Sequence, residues 1–188
     1  MSASIVARRV VARAYTLIEV LVIVAILGIL GAMVIPSMGE AGVLRAQSAI
    51  RTIVTDITFA QSDAMAFQRG RAVMFDVEIN RYSVVQVTGP ELDDVNDVML
   101  DASRPNGEMR TDLTDQRFWG ARIASADFDG QPDLIFDEMG APVTTPGGNT
   151  PSSGGMIVIE TPRESYWIAV DGFTGHVTTG RVESDDGE

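Results

Sequence analysis

The sequence predicts an α+β protein, a long N-terminal helix followed by an all-β body. Three observations predict it. Residues Val20 to Ile35 are sixteen in a row that are apolar or Gly. From Val43 the apolar residues fall at helical spacing, which places them on one face. After Gly70 the pattern becomes short β-type runs separated by Gly, Pro, Asn and Asp. The chain thus divides into a basic leader (1–14), an apolar segment (15–36), an amphipathic helix half (37–70), a β-rich body (71–183) and an acidic tail (184–188).

With Tyr15 to Glu19 the apolar segment reaches twenty-one residues, roughly 30 Å of helix, about one hydrocarbon core. Arg8, Arg9 and Arg13 precede it, and no Arg follows until Arg45. The positive-inside rule then leaves the N-terminus in the cytoplasm and sends the body across. A secretory signal peptide and a plain signal anchor are the competing readings. Glu19 is the only charge inside the run. An ionisable residue in such a helix costs roughly 2.5–3.5 kcal/mol at the bilayer centre, and less near an end. It calls for a partner: a lipid headgroup, water, or a group on another copy.

The stretch Tyr15-Thr16-Leu17-Ile18-Glu19, after a short basic leader, resembles the cleavage and methylation motif of type IV pilins and type II secretion pseudopilins. The resemblance implies that a prepilin peptidase cuts between Ala14 and Tyr15 and that the new amino terminus is methylated. Glu19 is then the fifth mature residue, the one that pairs with a neighbour's amine as the subunit enters a filament. In a low dielectric such a pair is strong and an unpaired charge is penalised. Ala14 departs from the Gly that the family favours before the cut. Pro36 falls where the family often carries a helix-breaking Pro.

Pro36 lacks an amide donor, so a kink or local melting is expected between Gly31 and Gly42. Helical patterning resumes with Val43, Ala46, Ile50, Ile53, Ile57, Ala60, Ala64 and Phe67 on one stripe. Arg45, Arg51, Asp56, Asp63 and Arg69 lie off it. A coiled-coil seam is the alternative to a helix packed on its own sheet, and the β-type sequence that follows favours the sheet. Gly70 ends the helix.

Residues 72–77 and 82–87 read as a hairpin turning near Asn80-Arg81. Residues 91–120 are irregular and acidic, a long surface excursion, with docking as the alternative to a merely solvated loop. Strands are expected over 121–128 and 133–136, a loop over 142–155, and a closing meander over 156–160, 166–170 and 176–179. "FAQSDAMAFQRGR" in the helix end, "LIFDEMGAP" and "YWIAVDGFTGHV" are similar to the H-type pseudopilin and FimT group. That resemblance implies a two-sheet, sandwich-like body against which the helix lies.

The net charge is −12, from 14 Arg and 26 acids, with no Lys. Three of the Arg precede Tyr15, leaving 11 against 26 in the rest, or −15. Such a body argues against nucleic-acid binding through a broad basic surface. There is no Cys, which excludes disulfides, thiol catalysis and thiolate metal sites. In "DFDGQPD", Asp127, Asp129 and Asp133 offer oxygen ligands for calcium, the one cofactor considered. Pro132 stands where an EF-hand loop needs Gly, so an Asp-Gly turn between strands is preferred. The single histidine, His176, begins a strand and has no nucleophile partner; Trp119 and Trp167 read as packing anchors.

The expectation is a non-enzymatic minor pseudopilin-like subunit of a type II protein secretion system. It is single-pass in the bacterial inner membrane, with its body in the periplasm. Its partners are other pseudopilins, the prepilin peptidase, the inner-membrane assembly platform and secreted substrate. The alternative is a FimT-like minor pilin of a type IV pilus that takes up DNA, which would rest on exposed cations such as Arg163 and Arg181.

Overall fold

The computed structural model describes residues 15–104, 106–118 and 120–182, with side chains outside the description over 32–44. Contacts divide the chain into two units, Met1–Glu40 and Ala41–Glu188. The leader, Ala14, Trp119 and the acidic tail lie outside the described residues.

One helix, α1, runs over Leu17–Phe67. Its backbone stays helical across 32–44, so the local melting suggested by Pro36 and two glycines does not occur. A proline deletes one ladder bond and strains one turn, and the uninterrupted turns on both sides carry the helix through. In the first unit every described side chain from Tyr15 to Gly31 is exposed. Among the described residues no helix is long and apolar enough to cross a membrane.

In the second unit the helix stripe does what its spacing predicts. Ala46, Ile50, Ile53, Ile57, Ala60 and Ala64 are buried, joined by Ala49. Phe67, expected on the same stripe, is instead exposed, because it lies at the helix end, past the last buried turn. Asp56, expected off the stripe, is buried.

Nine strands follow: β1 (Arg71–Asp76), β2 (Arg81–Gln86), β3 (Arg110–Asp112), β4 (Arg122–Phe128), β5 (Asp133–Phe136), β6 (Pro142–Val143), β7 (Gly154–Glu160), β8 (Ser165–Asp171) and β9 (Val177–Arg181). They form two antiparallel sheets, ordered β3-β2-β1-β5-β6 and β4-β7-β8-β9. The chain is therefore α+β with a two-sheet body. Apolar faces of both sheets meet the helix stripe in one core, through Val73, Phe75 and Phe136 from the first sheet and Ile123, Ile157 and Ile168 from the second.

Two segments differ from expectation. The loop expected over 142–155 contains β6, a two-residue strand that pairs with β5. The excursion over 91–120 is not simply a surface loop. Met109, Leu113 and Phe118 enter the main core, and β3 pairs with β2. Leu92 and Val98 cover the far face of the first sheet, over Ala72 and Val85. That sheet is consequently buried on both faces, which is why β2 reads as a continuous buried run rather than an alternation.

Candidate functional site

Glu19 lies in the first turn of α1. Thr16 precedes the helix as its N-cap, and its Oγ1 accepts a hydrogen bond from the Glu19 backbone N–H at 3.3 Å. Thr16 and Glu19 thus occupy the first and last positions of a capping box, T-x-x-E. This signal was present in the sequence but went unread beside the cleavage motif. The bond shown is made by the Glu19 backbone N–H, not by its carboxylate. The side chains that follow are apolar and open to solvent on every face, among them Leu27 at 61% exposure and Ile29 at 66%.

In the body, the groups that sequence reasoning missed centre on Asp56. Its Oδ2 accepts a hydrogen bond from the Tyr82 hydroxyl at 2.7 Å, and its Oδ1 accepts one from Arg104 Nη2 at 2.5 Å. Arg104 also donates to Thr111 Oγ1 at 2.7 Å. Burial, then the neighbouring Asp56 charge, holds the Tyr82 hydroxyl well above its ordinary range. For Arg104, burial favours the neutral form, but its bond and charge interaction with Asp56 prevail and raise the guanidinium's pKa. The network lashes the 91–120 excursion to the helix through an ion pair between the buried Asp56 and the half-buried Arg104. Nearby, Arg71 Nε donates to Asp63 at 2.5 Å, closing the turn between α1 and β1.

At the C-terminal end of the helix, Gln61 Nε2 donates to the Gly140 carbonyl and to the Thr174 carbonyl, each at 2.9 Å. The first belongs to the β5–β6 loop and the second to the β8–β9 loop, so one amide joins loops from different sheets. Gly140 and Gly175 have φ of +78° and +68°, and a Cβ on either would lie 2.6 Å from Met65 Cγ or 2.4 Å from Gln61 Nε2. Only glycine allows both the backbone turn and so close an approach.

"DFDGQPD" is a strand-to-strand turn. Asp129 and Gly130 both have positive φ, at 56° and 84°, as a two-residue hairpin turn demands. It carries the chain from β4 in one sheet to β5 in the other. Asp127 Oδ1 accepts from the Gly130 N–H, while Asp129 is held by the Ser152 hydroxyl and the Ser153 N–H. The Ser152 bond lowers the Asp129 pKa most. Asp133 sits at the start of β5, where burial raises its pKa. The three carboxylates do not converge, and among the described residues no group of three acids or histidines forms a metal site.

His176 is exposed. Trp167 packs over Gly180, its cross-strand partner, filling the space a side chain would take. Arg163 is exposed. Arg181 is exposed and paired with Glu164 at 3.2 Å.

No protein-family model matches this chain, and no curated relative does. Among solved structures the chain is similar to two of the minor pseudopilin EpsH from the type 2 secretion system of Vibrio cholerae. One is 14% identical, with 73% of this chain and 97% of that chain covered and a TM-score of 0.47. The other is 12% identical, with 72% and 95% covered and a TM-score of 0.46.

Proposed function

We propose that this chain is a non-enzymatic minor pseudopilin-like subunit of a type II protein secretion system. The observation that carries the reading is the apolar helix of residues 15–31, exposed on every face, that opens on Tyr15-Thr16-Leu17-Ile18-Glu19 and continues into a folded body. A helix apolar all round is stable only when something outside the chain covers it. A bilayer does so before assembly and neighbouring helices do so within a filament. In this reading the leader is cut between Ala14 and Tyr15, Tyr15 is N-methylated, and residues 15–36, whose side chains are described only as far as Gly31, span the inner membrane with the body in the periplasm. Other pseudopilins, the prepilin peptidase and the assembly platform are its partners, and the pseudopilus is its destination.

Glu19 then has a definite chemistry. Its carboxylate accepts a charge-assisted hydrogen bond from the Tyr15 amine of a neighbouring subunit. In an apolar surrounding that bond fixes axial register, because any other register leaves two charges unpaired.

The test is the mass of the N-terminal peptide of the protein taken from membranes of a strain that carries the prepilin peptidase. The expected terminus is N-methyl-Tyr15. An intact Met1 terminus, or a cut beyond Ile35, overturns the proposal.

A further inference from the structure

Two loops of matching design meet at Gln61. In the β5–β6 loop, Asp137 Oδ1 accepts from the Met139 and Ala141 N–H groups at 2.9 and 2.8 Å. In the β8–β9 loop, Asp171 Oδ1 accepts from the Phe173 and Thr174 N–H groups at 3.2 and 2.7 Å, and from the Thr174 hydroxyl at 2.6 Å. Each aspartate fixes its own loop and leaves the residue two places on pointing into solvent. Those residues are Met139 and Phe173, 78% and 87% exposed.

One nitrogen of Gln61 bonds a carbonyl in each loop, so the two carbonyls are no more than about 6 Å apart, twice the 2.9 Å bond length. Met65, half exposed, touches the β5–β6 loop at Gly140. Two large apolar side chains, Met139 and Phe173, are therefore carried on neighbouring loops whose backbone is pinned by side-chain hydrogen bonds, with Met65 of the helix beside one of those loops. Exposed Met and Phe on a preorganised frame are what a protein contact uses, since little entropy remains to be lost on binding. The charge around them is specific too. Asp137 and Glu138 lie on the first loop and Asp171 at the end of β8 where the second begins, with Arg69 following the helix and His176 closing the second loop.

We propose that Met65, Met139 and Phe173 form a docking surface for a different protein subunit, whose contacting face is apolar and rimmed by Arg or Lys. The inference rests on the functional reading above only in taking that partner to be another pilin-like subunit. The carboxylates decide against the other occupants. A second copy would bring a face of the same sign, on a chain whose residues from Tyr15 onward carry a net −15. An anionic lipid surface meets the same repulsion.

The absence of cysteine makes the test direct. Met139→Cys and Phe173→Cys are introduced singly into the full chain, in cells that also make the other pilin-like subunits, and labelled with a maleimide benzophenone. Val95→Cys and Leu100→Cys serve as references, being 75% and 81% exposed in the 91–120 excursion. After irradiation, positions 139 and 173 are expected to crosslink another pilin-like subunit at least tenfold more than positions 95 and 100. Adding Phe173→Glu to the Met139→Cys chain should lower that yield tenfold, with the membrane level unchanged. Crosslinks only between copies of this chain, crosslinks only to lipid, equal yields at all four positions, or insensitivity to Phe173→Glu each overturn the proposal. The N-terminal mass is read from the same samples. A chain processed at Tyr15 with no crosslink overturns the docking surface alone, whereas an unprocessed chain that still crosslinks a pilin-like subunit overturns the functional reading alone.

Discussion

Residues 17–31 and 46–64 belong to the same helix and obey opposite rules. In the second stretch the apolar side chains, the exposed Phe59 apart, keep to one stripe, and the two sheets bury it. In the first they cover every face, and all are exposed. A stripe finds its partner within its own chain. A surface apolar all round cannot, because no single body can enclose a helix on every side while leaving it free to enter a larger structure. The difference teaches that substitutions should sort by region. Changes within 46–64, and in what packs on it, should alter unfolding of the body. Changes within 15–31 should alter where the protein resides and what it joins.

The largest expected effect separates the two regions cleanly. Glu19→Leu removes a charge from the apolar run, so membrane level should hold or rise. Under the proposed function, incorporation with pseudopilins, read by crosslinking and co-purification, should fall at least tenfold, while unfolding of the body stays unchanged. Because Glu19 also occupies a capping-box position with Thr16, Glu19→Gln is the discriminating partner: it suits that position and removes the charge. Assembly that survives Glu19→Leu would mean the carboxylate acts only as a helix start.

Within the body, Asp56→Ala should be the most damaging polar change. It leaves the Tyr82 hydroxyl without its acceptor inside the core and takes from the half-buried Arg104 its shortest bond, while Arg104 keeps Thr111 and Asp101. Such a loss should cost about 2 kcal/mol. Urea unfolding of the full chain in detergent, followed by tryptophan fluorescence, reads it. A loss below about 1 kcal/mol would show the pair to be solvated and the excursion held by its apolar residues alone.

A smaller effect with a definite pH signature comes next. The Tyr82 hydroxyl has its pKa raised in the folded state, chiefly by burial. Its contribution is therefore fully present below the unfolded tyrosine pKa of about 10 and is lost as pH rises from there towards the folded value. Over that window stability should fall by about 1.4 kcal/mol per pH unit from this group. Tyr82→Phe should cost about 1 kcal/mol at neutral pH, since one Asp56 oxygen loses its donor, and should flatten the alkaline slope. Unfolding midpoints at pH 8, 10 and 11 for both proteins check this.

How much of this was legible follows from how local each signal is. The β1–β2 hairpin and the β7–β8–β9 meander could be read because their turns are short and their pairing is between neighbours in sequence. The strand β3, Arg-Thr-Asp, has no apolar run of its own; its pairing is supplied by β2, whose Tyr82 faces Thr111 from 29 residues earlier. Likewise β6 is two residues of Pro-Val, fixed by β5. Asp56 was misplaced because a carboxylate off the stripe reads as solvated. Three residues after Ile53 and one before Ile57, it sits at the stripe's edge, and only the distant Tyr82 and Arg104 make burial there tolerable. The Asp127–Asp133 segment was legible as a turn, since Asp-Gly suits two positive φ values. That it is the corner between two sheets depends on pairing elsewhere in the chain. Gln61 carried no sequence signal at all, because its two acceptors lie 79 and 113 residues away.

The smallest expected effect tests whether the body acts through cations rather than through apolar and acidic surfaces. Arg163 and Arg181 are the residues a DNA-uptake role would recruit. Binding to phosphate needs several unneutralised cations near one another, and the released counterions make it salt-sensitive. Arg181 already faces Glu164, whose carboxylate also accepts from the Tyr166 hydroxyl at 2.5 Å. A phosphate would have to displace that carboxylate and approach an acidic body. The Arg181–Glu164 pair is itself open to water, so screening leaves it worth no more than about 0.5 kcal/mol. Arg163→Ala with Arg181→Ala should therefore change unfolding by less than that and leave DNA binding undetectable before and after, measured by fluorescence anisotropy at low and physiological salt. Micromolar affinity in the unmodified chain that the double substitution abolishes would invert the comparison. The exposed helix would still need a covering, but the body would then be a nucleic-acid reader carried to the cell surface, and its acidic charge would have to be arranged away from Arg163 and Arg181.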